Sequence, residues 1–285
     1  MTAALYDARH CILGEGPFWH PEREQFFWFD IIGNRLLSRL GDEPLEWRFG
    51  EHASAAGWID ADSLLVATES GLRRLHLADG SHEPLAAIEA DNPATRSNDG
   101  RADPQGGFWI GTMGKAQERG LGCIYRYYRG VVEPLYRGIS IPNAICFAPG
   151  GRLAYFADTP TRRIMAQPLD AAGWPDGPAE VFVDLAAEKL NPDGAVVDAE
   201  GGLWNAQWGA ARVARYTPDG RFDRAVAVPG RHASCPAFGG PGLTQMLVTT
   251  AREGMADPDA DQGRTYLADA GVAGQAEHRV VPGRS

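Results

Sequence analysis

The chain has 285 residues, 44% hydrophobic and 22% charged, with a formal net charge of −10. This is ordinary globular composition, and the negative balance argues against nucleic acid or an anionic membrane as a partner. No stretch approaches the ~18 apolar residues of a membrane span. The N-terminus lacks the basic region and apolar run of a signal peptide. Cys11, Cys123, Cys146 and Cys235 are scattered without a CxxC pair, which excludes a disulfide framework and a zinc knuckle. The expected compartment is the cytosol.

Taken in order, residues 1–12 read as a short arm with Leu5 and Tyr6 in a strand. GEGPFWHPEREQFFWFD then opens a first repeat over 13–50, with RLLSRL as a later strand. A second repeat, 51–93, carries SAAGWIDADSLLVAT and GLRRLHL, and 88–100 reads as a polar crossover into the third. The third holds SNDGRADPQGGFWIGT and GCIYRYY around a loop from Gly114 to Gly122. PNAICFAPGGRLAYFAD and RRIMAQPL form the fourth, NPDGAVVDAEGGLWNA and RVARYTPDG the fifth, and SCPAFGGPGLTQMLVTT with RTYLADA the sixth. Either the N-terminal arm or Val280–Val281 supplies the last strand of that sixth unit. Helical periodicity is nearly absent; LAAEKL from Leu185 makes one turn at most.

Short strands and Gly-rich turns repeating about every 40 to 50 residues are the signature of a β-propeller with one blade per repeat. The predicted fold is therefore all-β: a six-bladed propeller formed as a single domain over residues 1–285. Registering the repeats on their turns, and counting back about one strand, lands on Glu15, Ala55, Asn98, Asn143, Asp193 and Ser234. In a propeller the innermost strands run along the central channel, so these positions form a ring. Asp and Asn before Gly also form turns on their own account. Turn propensity alone explains less well why four of the six registered residues carry acid or amide oxygens. Converging oxygen donors with two carboxylates match a hard divalent cation in the channel.

LGEGPFWHPE, RSNDGRADPQGGFWIGTM, IPNAICFAPGG, NPDGAVVDAEGGLW, SCPAFGG and LVTTAREGM together resemble the regucalcin/gluconolactonase (senescence marker protein) family in order and spacing, from about Leu13 to Met255. The resemblance implies a six-bladed propeller holding one divalent cation (Ca, Zn, Mn, Mg or Fe) and hydrolysing a sugar lactone to the sugar acid. It implies Glu15, Asn143 and Asp193 as metal ligands, Asp193 also as general base, and Arg96 and Asn98 as substrate contacts. In a related organophosphate-hydrolysing group the Asn98 position is itself a metal ligand, so both roles stand open for it. Some members carry a substrate-binding acid shortly after GTM; this chain has Ala116 there, with Glu118 out of register.

The chemistry suits the residues. A lactone is an internal ester; a divalent ion polarises its carbonyl and acidifies water, a carboxylate accepts the proton, and Arg96 offers a forked donor. Without the resemblance, Arg96 reads equally as an ion-pair partner for Asp99. No GxSxG elbow, HExxH or phosphate-binding Gly loop occurs. The seven histidines are scattered, and Trp19, Trp28, Trp58, Trp109 and Trp204 read as inter-blade packing. Trp208 and the Gly114–Gly122 loop read as the rim of the mouth. A non-enzymatic calcium-binding regulator or scaffold is the alternative function, and the oligomeric state is left open.

Overall fold

Asp198 shows how the repeat folds locally. Its Oδ1 accepts the Glu200 and Gly202 amides at 3.0 and 2.8 Å, which closes the turn, while Oδ2 accepts Trp204 Nε1 and Arg215 Nε at 2.8 and 2.7 Å. Asp103 repeats the arrangement in the third unit: Oδ1 takes the Gln105 and Gly107 amides and Oδ2 takes Arg126 Nε at 2.7 Å. One carboxylate thus shapes the turn between the first two strands and pins it to an arginine on the third. The sequence pattern D-x-x-G-G-x-W records this.

The computed structural model describes residues 2–283 and contains six antiparallel four-stranded sheets. Each is a blade; in five of them the four strands follow one another in the chain, and the innermost strands are Gly14–His20, Ala53–Asp60, Thr95–Ala102, Pro142–Phe147, Asn191–Val197 and His232–Gly239. Helix is limited to two 3₁₀ turns, Thr159–Thr161 and Pro241–Leu243, and no helix is long and apolar enough to cross a membrane. The all-β six-bladed propeller is therefore observed. Trp28, Trp109 and Trp204 are fully buried in the apolar layers around the blades. The third inner strand begins at Thr95, so the segment expected to be a crossover is already pairing over its second half.

The N-terminal arm closes the ring. Its strand Ala4–Asp7 pairs antiparallel with Thr265–Asp269 and completes blade six. The Val280–Val281 alternative is not realised, because that segment lies elsewhere. The chain after residue 273 runs across the ends of the inner strands: Gln275 Nε2 donates to the Phe147 and Val197 carbonyls, both at 3.0 Å. The Val280 amide donates to Trp58 O at 2.9 Å, and Glu277 pairs with Arg101 in the interior. This tail forms a floor to the channel, opposite the strand starts that carry the predicted ring.

Candidate metal and substrate site

Every inner strand bulges near its start. Register shifts fall between Glu15 and Phe18, Ala53 and Ala55, Ser97 and Gly100, Asn143 and Cys146, Pro192 and Ala195, and Ala233 and Cys235. A bulge bends its strand and re-aims the side chains beside it, so six bulges at one level build the ring. The residues after Glu15 and Asn143 take the left-handed conformation, Gly16 at φ 51° and Ala144 at φ 57°. A Cβ on Gly16 would also run into the Ser54 carbonyl oxygen. The bulge corrects one registered position: in blade two the displaced residue is Ser54, while Ala55 packs in an apolar core. Counting a fixed strand length missed it because that strand carries a second bulge, between Trp58 and Asp60, which adds a residue between the ring and the turn. Ser54 and Ser234 bond to their neighbours, Ser97 Oγ at 2.8 Å and the Gly14 carbonyl, and so join blades at this level.

Glu15, Arg96, Asn98, Asn143 and Asp193 come together in one cavity of about 290 Å³, whose walls include Leu13, Met113, Ile141 and Trp208. All five are at least nine-tenths buried. The Glu15 and Asp193 carboxyl groups lie within hydrogen-bonding reach of each other. Burial pushes Glu15 up to about 8, aided by the charge of Asp99 and opposed by the Gly16 amide and Arg96. Burial, then the Glu15 charge, drives Asp193 well above the usual carboxylate range. Asp99 lies alongside, raised to about 6 by burial while accepting the Ile145 amide at 2.7 Å.

The amide groups have determined orientations. Thr159 donates its hydroxyl proton to Pro192 O at 2.8 Å, so its oxygen accepts from Asn143 Nδ2 at 2.8 Å. That leaves Asn143 Oδ1 facing the channel, where it accepts from Asn98 Nδ2 at 3.1 Å. Asn98 Nδ2 also donates to Pro142 O at 2.9 Å, and its Oδ1 accepts Arg96 Nη1 at 2.8 Å. Asn98 therefore links the guanidinium to the carboxamide. Arg96 makes no ion pair with Asp99; its other bond goes to Ser97 O at 2.9 Å.

This set fits one hard divalent ion. Two carboxylates carry the matching charge, the Asn143 carboxamide lines the same cavity, and all donors are oxygen. Among the described residues no three His, Cys, Asp or Glu side chains are grouped to hold a metal, so a third donor beside the two carboxylates would have to be a carboxamide such as that of Asn143. Trp208 and, from the Gly114–Gly122 loop, Gln117 line the mouth as expected. Glu118 does not: its Oε2 turns back to the Ala116 amide at 3.1 Å. Reading the sequence missed Thr159 and Glu253 in the lining. It also missed Asn205, which donates to the Asp193 and Gly194 carbonyls at 2.8 and 3.2 Å and braces that bulge. Glu253 stood in the LVTTAREGM motif; nothing local to Thr159 or Asn205 marks them.

Fold and site together define a six-bladed propeller with a buried, oxygen-lined cavity at the starts of its inner strands. The chain belongs to the SMP-30/gluconolactonase/LRE-like family, whose model matches residues 13–252. It is 36% identical over 288 residues to the L-arabinolactonase of Azospirillum brasilense, covering 97% of this chain and 94% of that one. It is 34% identical to the pentonolactonase of Haloferax volcanii, over 96% and 93%. The solved structure of the calcium-binding protein regucalcin from Agrobacterium tumefaciens superimposes with a TM-score of 0.94 at 40% identity, covering 99% and 97%.

Proposed function

We propose that this chain hydrolyses a sugar lactone to the sugar acid, with one divalent cation held by Glu15, Asn143 and Asp193. The observation that supports it most is that the buried Glu15–Asp193 pair shares one cavity with an oriented carboxamide and with an arginine whose Nη1 alone is bonded among the described residues. A bound divalent ion supplies a Lewis acid for the lactone carbonyl and acidifies water.

The chain's own groups do the rest. Asp193, ionised, takes a proton from the attacking water at a carboxylate oxygen. Water oxygen bonds to the carbonyl carbon, the ring C–O bond breaks, and the ring oxygen is protonated to a hydroxyl. Arg96 holds substrate oxygens with the edge of its guanidinium that Asn98 leaves open, and Asn98 keeps that guanidinium and Asn143 in fixed relation. Leu13, Met113 and Ile141 give the cavity apolar walls, which exclude competing water.

The relatives named as lactonases support the substrate class. The likeness to the calcium-binding regucalcin of Agrobacterium supports a second reading, a cation-binding propeller without catalysis. One experiment divides them: a panel of aldonolactones assayed by pH indicator with each of Ca²⁺, Mg²⁺, Mn²⁺, Zn²⁺ and Fe²⁺, spontaneous opening subtracted. Turnover abolished by chelation and restored by metal is expected. Cation binding with no turnover on any lactone would overturn the enzyme reading in favour of the second.

A further inference from the structure

Glu253 stands at the cavity, its side chain with no hydrogen-bond or ion-pair partner among the described residues. It follows the strand Gln245–Ala251 in a turn whose Arg252 and Glu253 amides both donate to Ile12 O at 2.9 Å, and whose Met255 amide returns to Arg252 O at 3.1 Å. The backbone is thus held on both sides of the residue. Its carboxylate lines the cavity, yet among the described residues it accepts no hydrogen bond and forms no ion pair.

Arg96 lines the same cavity and, though bonded to Ser97 O and Asn98 Oδ1, likewise forms no ion pair among the described residues. Burial draws its pKa down, and of the charges that oppose this, Glu253 is the largest. The two still make no ion pair, so a gap separates a donor edge from an acceptor. Beside them Trp208 is stacked on His232, ring centroids 4.2 Å apart at 21°, which stiffens one wall of the gap. The opposite loop offers no carboxylate: Ala116 has none, and that of Glu118 is folded onto its own backbone.

We propose that Glu253 is the residue that reads hydroxyl groups at this site, accepting hydrogen bonds from an uncharged polyhydroxylated lactone whose other oxygens face Arg96. This rests on the lactonase reading above for its substrate class. A carboxylate with no protein partner is well placed to accept two hydroxyl protons. It also repels a ligand carrying a phosphate or carboxylate at that end, so the substrate is neutral.

The test compares the metal-loaded wild type with Glu253→Ala and Glu253→Gln on D-glucono-1,5-lactone and on δ-valerolactone, which has no hydroxyls. A lost hydrogen bond to a charged group corresponds to about 10- to 100-fold. The ratio of kcat/KM between the two lactones should fall by that factor in Glu253→Ala and by less in Glu253→Gln. A ratio unchanged within about two-fold in both variants overturns the proposal. Calorimetric binding of δ-gluconolactam, an amide that resists hydrolysis, supplies a readout independent of turnover. If the wild type opens neither lactone, the lactonase reading falls and the lactam decides: weaker binding by Glu253→Ala sustains the role of Glu253, and equal or absent binding by the wild type overturns it.

Discussion

Asp193 is asked to serve twice, as a metal ligand and as a base, and the two roles separate on substitution. In Asp193→Asn a carboxamide can still coordinate but cannot accept the proton. With added metal bringing occupancy to the wild-type level, kcat should fall by about 10²–10⁴-fold. Metal content measured in the assayed sample and a wild-type kcat would together remove Asp193 as the base. Arg96→Ala should leave metal affinity intact and lower kcat/KM, through KM alone if its contact is equally strong in ground and transition states. The buried arginines away from the site make a further comparison. Arg126 and Asp103 are both fully buried, and Asp103 is the one carboxylate paired with that guanidinium. Removing one partner of such a pair costs about 3–5 kcal/mol. Arg215 has Asp198 but also Asp223 and Glu200 within 3.1 Å. Urea denaturation should therefore show Asp103→Ala losing more stability than Asp198→Ala; the reverse order would contradict the ion-pair account.

The inner strand with its bulge is the element that makes the site, and its backbone is testable at equivalent positions. Gly16 and Ala144 share the left-handed conformation, but only Gly16 is a glycine. A non-glycine residue there costs roughly 1–2 kcal/mol of strain, part of which glycine's larger unfolded-state entropy cancels. Ala144→Gly should be neutral or stabilising in thermal melts, whereas Gly16→Ala should be destabilising and should weaken metal binding by displacing Glu15. Equal effects of the two would mean the bulge does not set the ligand geometry. What was legible in the sequence follows from the same element. Turn chemistry repeats because Asp103 and Asp198 perform the same bonding, and the ring oxygens lie at a nearly constant offset from it, so Glu15, Asn98, Asn143 and Asp193 could be registered. Ser54 could not, since the second bulge in its strand, between Trp58 and Asp60, is a backbone feature with no residue code. Glu253, Thr159 and Asn205 act across blade boundaries or from neighbouring strands, and proximity of that kind is set by ring closure rather than by local pattern. The choice between the two candidate closing strands was open for the same reason: both termini are short and apolar enough to add to an edge.

For the whole molecule, the buried acids link protonation, cation and stability. Without a cation the folded protein keeps protons on Glu15 and Asp193 that the unfolded chain releases near its ordinary carboxylate values, 4.5 for Glu15. The stability this pair contributes is present at lower pH and is lost as pH rises toward about 8, where Glu15 ionises in the folded state. A divalent cation requires the ionised pair and so displaces protons. The rise in Tm on adding cation should be larger at pH 8 than at pH 6, and proton release should be measurable in weakly buffered solution. A Tm increment independent of pH would refute the linkage. The pairing of Ala4–Asp7 with Thr265–Asp269 has a different consequence, for the order in which the molecule is made. Ala4–Asp7 must wait for its partner Thr265–Asp269, with more than 250 residues synthesised between them. Until then blade six has an open edge able to accept a strand from another chain. The nascent protein thus stays an open arc until Thr265–Asp269 has emerged, and the moment of ring closure can be timed in a translation-arrest series.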